Sequence, residues 1–454
     1  VPNATRPRNR ARRPDSPPEI RSTVFHVDAL GTGGDGLARN DSGARVFIPG
    51  ALPGETVTAA FDDSPSARSA SIRPARLEDI RVPSPDRTTP PCPHFDTCGG
   101  CTLQHLALPA TLAWKAGLVT HALSRAGFAD VTIASMHQTP PASRRRMDLG
   151  VRRTHAGIDI GFHQRAGGLV DITQCAVLDP ALVTLIGQIR PLFNRLRALR
   201  SQADVAVNLL DTGPDMLLRT DGDLTTEDRA LLADFARSHA IARIAWAQTG
   251  QKEEPEIAAQ IRPVTQTFGD TTAAPPPGAF LQASREGEDA IVATVLEMLP
   301  AKMGQKDEII ELYAGCGTLT FPLAQAARVR AYEGQPAAFA CLRSAAGGTR
   351  VSAEQRDLNR QPVMRRDLSG RKVVVLDPPH MGAGAQIAEI VAATPANVIY
   401  VSCNPAALTK DAAQLHAAGY TLERVSVVDQ FLWSNNVEAV CLFTHTARKR
   451  PSRI

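Results

Sequence analysis

No stretch of this sequence approaches the ~20 consecutive apolar residues that a membrane-spanning helix needs, which excludes a helical membrane protein as a reading. The N-terminus lacks an apolar h-region and is rich in Arg and Pro. No secretory signal is expected, and a cytoplasmic location is expected by default. Charge of one sign is not in excess: 50 Lys and Arg face 46 Asp and Glu, a net charge of +4, so overall charge identifies no partner. Eight cysteines in a cytosolic chain of this length do not suggest a disulfide framework. There is no internal repeat. What remains is a chain of 454 residues, 43% hydrophobic, long enough for two or three domains.

Charge is distributed unevenly. Arg6, Arg8, Arg10, Arg12 and Arg13 crowd the start, and Arg448, Lys449, Arg450 and Arg453 crowd the end. Residues 1–21 and 447–454 read as disordered basic tails. Residues 22–82 read as a small β-barrel. Val24–Val27, Arg45–Ile48 and Glu55–Thr58 are short strand-like runs, and Pro49-Gly50 and Pro53-Gly54 are turn signals. Gly31, Gly33, Gly34 and Gly36 spell GxGxxG, but no amphipathic helix follows, so this is not a dinucleotide fingerprint. Residues 83–270 read as a central α/β domain, with a helix at about 108–126 that is a candidate to pack on the C-terminal domain. From about residue 279 to 446, apolar strands alternate with helices, as in a mostly parallel, doubly wound sheet.

The C-terminal domain carries the chemistry. Glu311-Leu312-Tyr313-Ala314-Gly315-Cys316-Gly317-Thr318 sits where its first strand turns into a helix. Two glycines, rather than the three of a dinucleotide site, suit the shorter loop that holds the methionine end of S-adenosylmethionine. Glu333 ends the second strand, where an acid can accept from ribose hydroxyls. Asp367 falls near the expected end of the third, beside adenine, and Asp377 ends the next. Cys403, in Ser402-Cys403-Asn404-Pro405, follows a fourth strand and should face the same cleft. A methyltransferase needs such a thiol when its target carbon is a poor nucleophile. Thiolate addition at carbon 6 of uracil makes carbon 5 nucleophilic, and a base must later remove the carbon-5 proton. Glu438 opens the last strand and is the candidate base.

With these residues in view, nearly the whole chain resembles the bacterial 23S ribosomal RNA uracil-5-methyltransferase family. The resemblance runs from Val24–Val57, which is similar to the TRAM barrel, through the Ser-Cys-Asn-Pro motif to Glu438. It implies that Cys403 is the nucleophile and Glu438 the proton acceptor. It also implies that Gln282, Tyr313, Gly315, Thr318, Glu333, Asp367 and Asp377 form the cofactor site. The partner would be RNA, with neither membrane nor protein partner implied. A transfer RNA target and a non-catalytic RNA-binding factor are the alternatives. The chain departs from the family pattern at Thr318, usually Asn, at His380, usually Arg, and over Leu432–Asn436.

Cys92, Cys98, Cys101 and the distant Cys175 make a set of four thiols suited to a 4Fe-4S cluster or to zinc. The resemblance implies the 4Fe-4S cluster. Arg144, Arg145, Arg146, Arg152 and Arg153 are candidates for phosphate contact, with Phe162 and His163 beside them.

Overall fold

The structure is a computed structural model that describes residues 19–64, 72–164, 167–251, 254–304 and 306–445. The basic runs Arg6–Arg13 and Arg448–Arg453 lie outside the described residues. No helix among the described residues is long and apolar enough to cross a membrane. The chain divides into two compact units, one ending at Thr89 but including Thr102–Ala107, the other made of Pro90–Cys101 and everything from Leu108.

The first unit is a closed barrel. Strands β1 (Ile20–Leu30), β2 (Gly36–Arg39), β3 (Arg45–Ile48), β4 (Thr56–Asp62) and β5 (Ile72–Val82) close in the order β1-β2-β3-β5-β4. Closure leaves no bare sheet edge. Alternate residues fill the interior: Phe25, Val27, Val46, Ile48, Val57 and Phe61 are all buried, and Phe25 meets Phe61 edge-on at 5.6 Å. The glycine run at 31–36 is the tight link between β1 and β2, as its lack of a following helix indicated.

In the second unit, helix α1 (Leu108–Arg125) is followed by β6 (Ser135–Gln138) and then by a seven-stranded sheet. That sheet is made of β7 (Arg146–Thr154), β8 (Gly157–His163), β9 (Leu169–Asp171), β10 (Gln202–Leu210), β11 (Gly213–Thr220), β12 (Arg243–Gln248) and β13 (Glu256–Gln260), ordered β13-β12-β11-β10-β7-β8-β9. Helices α2 (Pro180–Arg195) and α3 (Thr226–Ser238) cover it. Leu182, Leu185, Ile189, Phe193 and Leu232 share one buried core with Leu149, Val205 and Leu218. A short hairpin, β14 (Gln266–Phe268) and β15 (Thr271–Ala273), stands where a boundary was expected.

The C-terminal sheet has eight strands. They are β16 (Glu308–Leu312), β17 (Arg328–Glu333), β18 (Val351–Gln355), β19 (Val373–Leu376), β20 (Asn397–Ser402), β21 (Thr421–Asp429) and β22 (Glu438–Thr444), with β6 at the edge. The order is β18-β17-β16-β19-β20-β22-β21-β6. Strands β16 to β20 are mutually parallel, and β22 runs antiparallel between β20 and β21. The Val373–Leu376 and Val398–Val401 runs are apolar at every position because helices cover both faces. One face packs α4 (Arg285–Glu297), α5 (Thr320–Ala326) and α6 (Pro336–Ala345). After α7 (Arg365–Leu368), the other face packs α8 (Gln386–Ala393), α9 (Pro405–Ala417) and α1, which contributes Ala116, Val119 and Leu123. Because β16 to β20 are parallel, their carboxyl ends gather at one rim.

Candidate active site

A cavity of about 590 Å³ opens at that rim. It is lined by Gln282, Tyr313, Gly315, Thr318, Glu333, Asp377, Cys403 and Glu438, which is every expected cofactor or catalytic position except one. The exception is Asp367. It lies in α7 beside Arg366 and does not line the cavity. The third strand of this half ends at Gln355, and Asp357, just beyond it, takes the place expected of Asp367.

The loop after β16 is strained. Tyr313 has φ 65°, unusual for a bulky side chain, and its hydroxyl donates to Ala383 O at 2.9 Å. At Gly317, φ is 108° and a Cβ would fall 2.3 Å from the Phe321 ring, so glycine alone fits. At Gly315 a Cβ would meet nothing, which leaves bare backbone facing the cavity. Glu333 organises this loop with both oxygens: Gly315 N–H donates to one at 2.7 Å and Gln335 N–H to the other at 2.6 Å.

Among the further residues that line the cavity are Glu311, Arg356 and Asp357, none of them named as a site residue from sequence. Glu311 had a signal, a carboxylate in the apolar run Ile309–Leu312. It is buried, and one of its oxygens has no hydrogen-bond partner among the described residues. Arg356 lies over the Tyr332 ring at 5.2 Å.

Cys403 is held by its neighbours. Asn404 caps α9, accepting from Ala406 N–H at 3.0 Å, and Pro405 begins that helix. The Asn404 amide also donates to His380 O at 2.8 Å, tying the Cys403 turn to the end of β19. Glu438 starts β22, beside the register pair Ser402 and Ala439, so thiol and carboxyl come from adjacent strands. The surroundings are acidic. Burial, reinforced by Glu438 and Asp377, pushes the Cys403 thiol up to about 12. Burial, then the charge of Asp377, raises Glu438 to about 8. Asp377 is raised to about 7 by burial, and Glu311 to about 8 by burial with Asp377 and Glu333 adding to it. A cavity with this much suppressed negative charge suits a cationic ligand. The bare backbone at Gly315, the acids Glu333 and Asp357, and the unsatisfied Glu311 together fit S-adenosylmethionine.

The four cysteines of the expected metal site lie in the second unit. Cys98 and Cys175 are raised by burial, and the charge of Cys92 adds to both, so these three thiols lie within electrostatic reach of one another. Cys101 packs with Leu432 and Trp433. Gly100 N–H donates to Cys98 Sγ at 3.4 Å. Among the described residues, however, no three His, Cys, Asp or Glu side chains are disposed to hold a metal ion as they stand.

The arginine cluster is mostly structural. Arg145 is buried against Glu288 at 2.6 Å, and Arg153 donates to the carbonyls of Phe193, Leu196 and Leu199. Arg152 pairs with Asp159, and Arg146 lies 4.7 Å over the Phe280 ring at the cavity.

Comparison with known proteins agrees with this geometry. Residues 277–446 match the family model described as tRNA (Uracil-5-)-methyltransferase. An "Uncharacterized RNA methyltransferase" of Caulobacter vibrioides is 38% identical over 430 residues, covering 92% of this chain and 99% of that protein. A 23S rRNA (uracil(1939)-C(5))-methyltransferase of Shewanella amazonensis is 33% identical over 435 residues, covering 94% of this chain and 95% of that one. Among solved structures, the Pyrococcus abyssi tRNA (uracil-54, C5)-methyltransferase in complex with S-adenosyl-L-homocysteine matches with a TM-score of 0.68 at 18% identity. The match covers 93% of this chain and 100% of that one, and is a likeness of fold. A class I methyltransferase fold with a small N-terminal barrel, and relatives this similar over almost the full length, lead to one conclusion: the chain belongs to the RNA uracil-5-methyltransferase family, S-adenosylmethionine-dependent enzymes that methylate carbon 5 of a uridine.

Proposed function

We propose that this enzyme acts on a uridine of 23S ribosomal RNA, with Cys403 as covalent nucleophile and Glu438 as proton acceptor. The observation that carries the mechanism is that both side chains line the same cavity as the Tyr313–Thr318 loop. The choice of RNA rests on the full-length likeness to the Shewanella enzyme. S-adenosylmethionine supplies an electrophilic methyl on a positively charged sulfur.

The chain's own residues do the rest. Cys403 gives its proton to solvent and its sulfur bonds to carbon 6, which sends the carbon 5–carbon 6 electron pair toward the carbon-4 oxygen. Carbon 5 then takes the methyl. Glu438 accepts the carbon-5 proton, the double bond reforms, and the Cys403 thiolate leaves. The target base must first be flipped out of its stack and into the cavity. Asp377, hydrogen-bonded by Gln282 Nε2 at 3.4 Å, is placed to receive the imide N–H of the base.

Two further readings belong to the same proposal. The barrel of β1–β5 serves as a TRAM-type RNA-binding domain, residues 83–270 form a central domain, and 279–446 form the catalytic domain. Cys92, Cys98, Cys101 and Cys175 hold a 4Fe-4S cluster. That the charge of Cys92 bears on both Cys98 and Cys175 supports that site, which would require the thiols to draw closer than they stand. The cluster would organise the fold around Cys101 and would not enter the reaction, which needs no electron.

The deciding experiment pairs two variants. Cys403→Ala should bind RNA and form no adduct. Glu438→Gln should accumulate a denaturation-resistant protein–RNA adduct that carries the methyl group. Turnover by Cys403→Ala would end the covalent reading. Mapping of 5-methyluridine in RNA from cells with and without the enzyme tests the target, and a mark confined to transfer RNA would overturn the 23S assignment.

A further inference from the structure

We infer that Gln430 is the positioning residue for the proton-transfer step, and that the Glu438 oxygen it leaves free, Oε2, is the atom that receives the carbon-5 proton. The inference rests on the reading of Glu438 as the base. Gln430 immediately follows β21 and is 3% exposed. All three faces of its amide are used. Its carbonyl oxygen accepts from Ala283 N–H at 2.9 Å, and its Nε2 donates to Gln282 Oε1 at 2.7 Å and to Glu438 Oε1 at 3.1 Å. An amide has two N–H groups, so both are spent on these two partners.

This arrangement has two effects. It sorts the Glu438 oxygens: Oε1 is occupied, while Oε2 is buried with no hydrogen-bond partner among the described residues. A buried carboxylate oxygen without a donor is costly unless something arrives to satisfy it. It also orients Gln282. Because Gln282 Oε1 accepts from Gln430, its Nε2 must point the other way, and it donates to Asp377 Oδ2. One amide thus sets the donor pattern around both acids of the cavity.

The charges around Glu438 come from every element packed on β22. Asp377 at the end of β19 and Cys403 after β20 both add negative charge when ionised. Asp429 of β21 is neutralised by Lys115, and Glu288 of α4 by Arg145. Against burial and Asp377, which raise Glu438, the Gln430 N–H is the hydrogen bond that favours its ionised form. Only the ionised form can accept a proton. Without that donor, Glu438 should ionise at higher pH, and the step it serves should need higher pH.

The test uses the full-length enzyme and an RNA substrate in single-turnover experiments across pH. Gln430→Met keeps the shape and loses both donors. Trapping by 5-fluorouridine RNA reports addition of Cys403, and decay of the methylated adduct reports proton removal. The expected result is normal trapping, with adduct decay on the order of tenfold slower near neutrality and its pH profile displaced upward by about one unit. Gln430→Glu retains the acceptor for Ala283 N–H and adds a like charge, so it should displace the profile at least as far. It also serves if the Met variant does not fold. A wild-type profile in both variants, while Glu438→Gln still accumulates adduct, would overturn the role of Gln430 and leave the mechanism standing. Equal loss of trapping and decay with no pH displacement would reduce Gln430 to a fold-supporting residue. If Glu438→Gln accumulates no adduct, the base assignment and this inference fall together.

Discussion

Lys115 and Asp429, 314 positions apart, meet with Nζ and Oδ1 at 2.5 Å, and neither side chain reaches solvent. Lys115 also donates to Phe431 O at 2.8 Å, and Asp429 takes a second donor from Gln138 Nε2 at 3.1 Å. The pair therefore anchors helix α1 to the segment that delivers Gln430, while Leu432 and Trp433 just beyond pack on Cys101. Burial lowers Lys115, and Asp429 counters that effect. Removing either partner should leave an uncompensated buried charge and destabilise the protein by about 3–5 kcal/mol. In chemical denaturation, Lys115→Met and Asp429→Asn should each lower the midpoint sharply, and the double variant should recover part of the loss. Additive losses would show that the pair is not coupled.

The two candidate adenine-side acids make opposite predictions. Asp357 lines the cavity and Asp367 does not. Asp357→Ala should weaken S-adenosylmethionine binding by about tenfold, or ~1.4 kcal/mol. Asp367→Ala should leave it unchanged. Isothermal titration of both variants decides between them, and the reverse pattern would restore Asp367 to the site.

The raised carboxyls of Glu311, Asp377 and Glu438 link stability to pH. An acid whose value is higher folded than unfolded favours folding most below its unfolded value, here 3.8 for Asp and 4.5 for Glu. That contribution shrinks as pH rises and is gone once the folded values of about 7 to 8 are passed. The ligand-free enzyme should therefore melt at lower temperature at pH 8.5 than at pH 6, and Glu311→Gln should flatten the difference. A cationic methyl donor answers the ionised carboxyls and its neutral product does not. The preference for S-adenosylmethionine over S-adenosylhomocysteine should thus grow with pH. A ratio of affinities independent of pH would remove this role for the acids.

The cysteine site is tested by its contents. Anaerobically purified enzyme should be brown and carry iron and sulfide, and Cys98→Ser should lose both and melt earlier. A colourless protein with one zinc per chain would replace the iron–sulfur reading with a structural zinc site.

What the sequence disclosed follows burial. The Val373–Leu376 and Val398–Val401 stretches of β19 and β20, and Ile309, Ile310 and Leu312 of β16, are apolar because both faces are covered, and the loop and site residues at their ends could be located by counting from them. Strand β18, Val-Ser-Ala-Glu-Gln, is an edge strand with no residue fully buried, so its end carries little signal in the sequence, and Asp357 just beyond it does not stand out. Strands β2, of four residues, and β5, Ile-Arg-Pro-Ala-Arg-Leu-Glu-Asp-Ile-Arg-Val, carry too little apolar alternation to stand out, although the barrel itself was legible from its turns. Arg145 and Arg153 looked like phosphate ligands because sequence cannot show that Glu288 and three carbonyls already occupy them. Gln430 acts through partners up to 148 positions away, a relation that exists only once the chain has folded.

Strand β6 pairs in parallel with β21, Ser135 against Ser426, and completes the edge of the C-terminal sheet from 291 positions upstream. During synthesis this strand leaves the ribosome long before its partner exists and must wait while the intervening sheet is built. Bringing the two together carries the entropy of closing a very long loop, so this edge should be among the late events of folding. The matched family segment begins only at residue 277, so an excised catalytic fragment would present β21 as a bare, apolar edge open to intermolecular pairing. Truncation there would yield aggregates, whatever the state of the cavity, because the last strand of the catalytic sheet, Ser135–Gln138, lies well upstream of the excised segment.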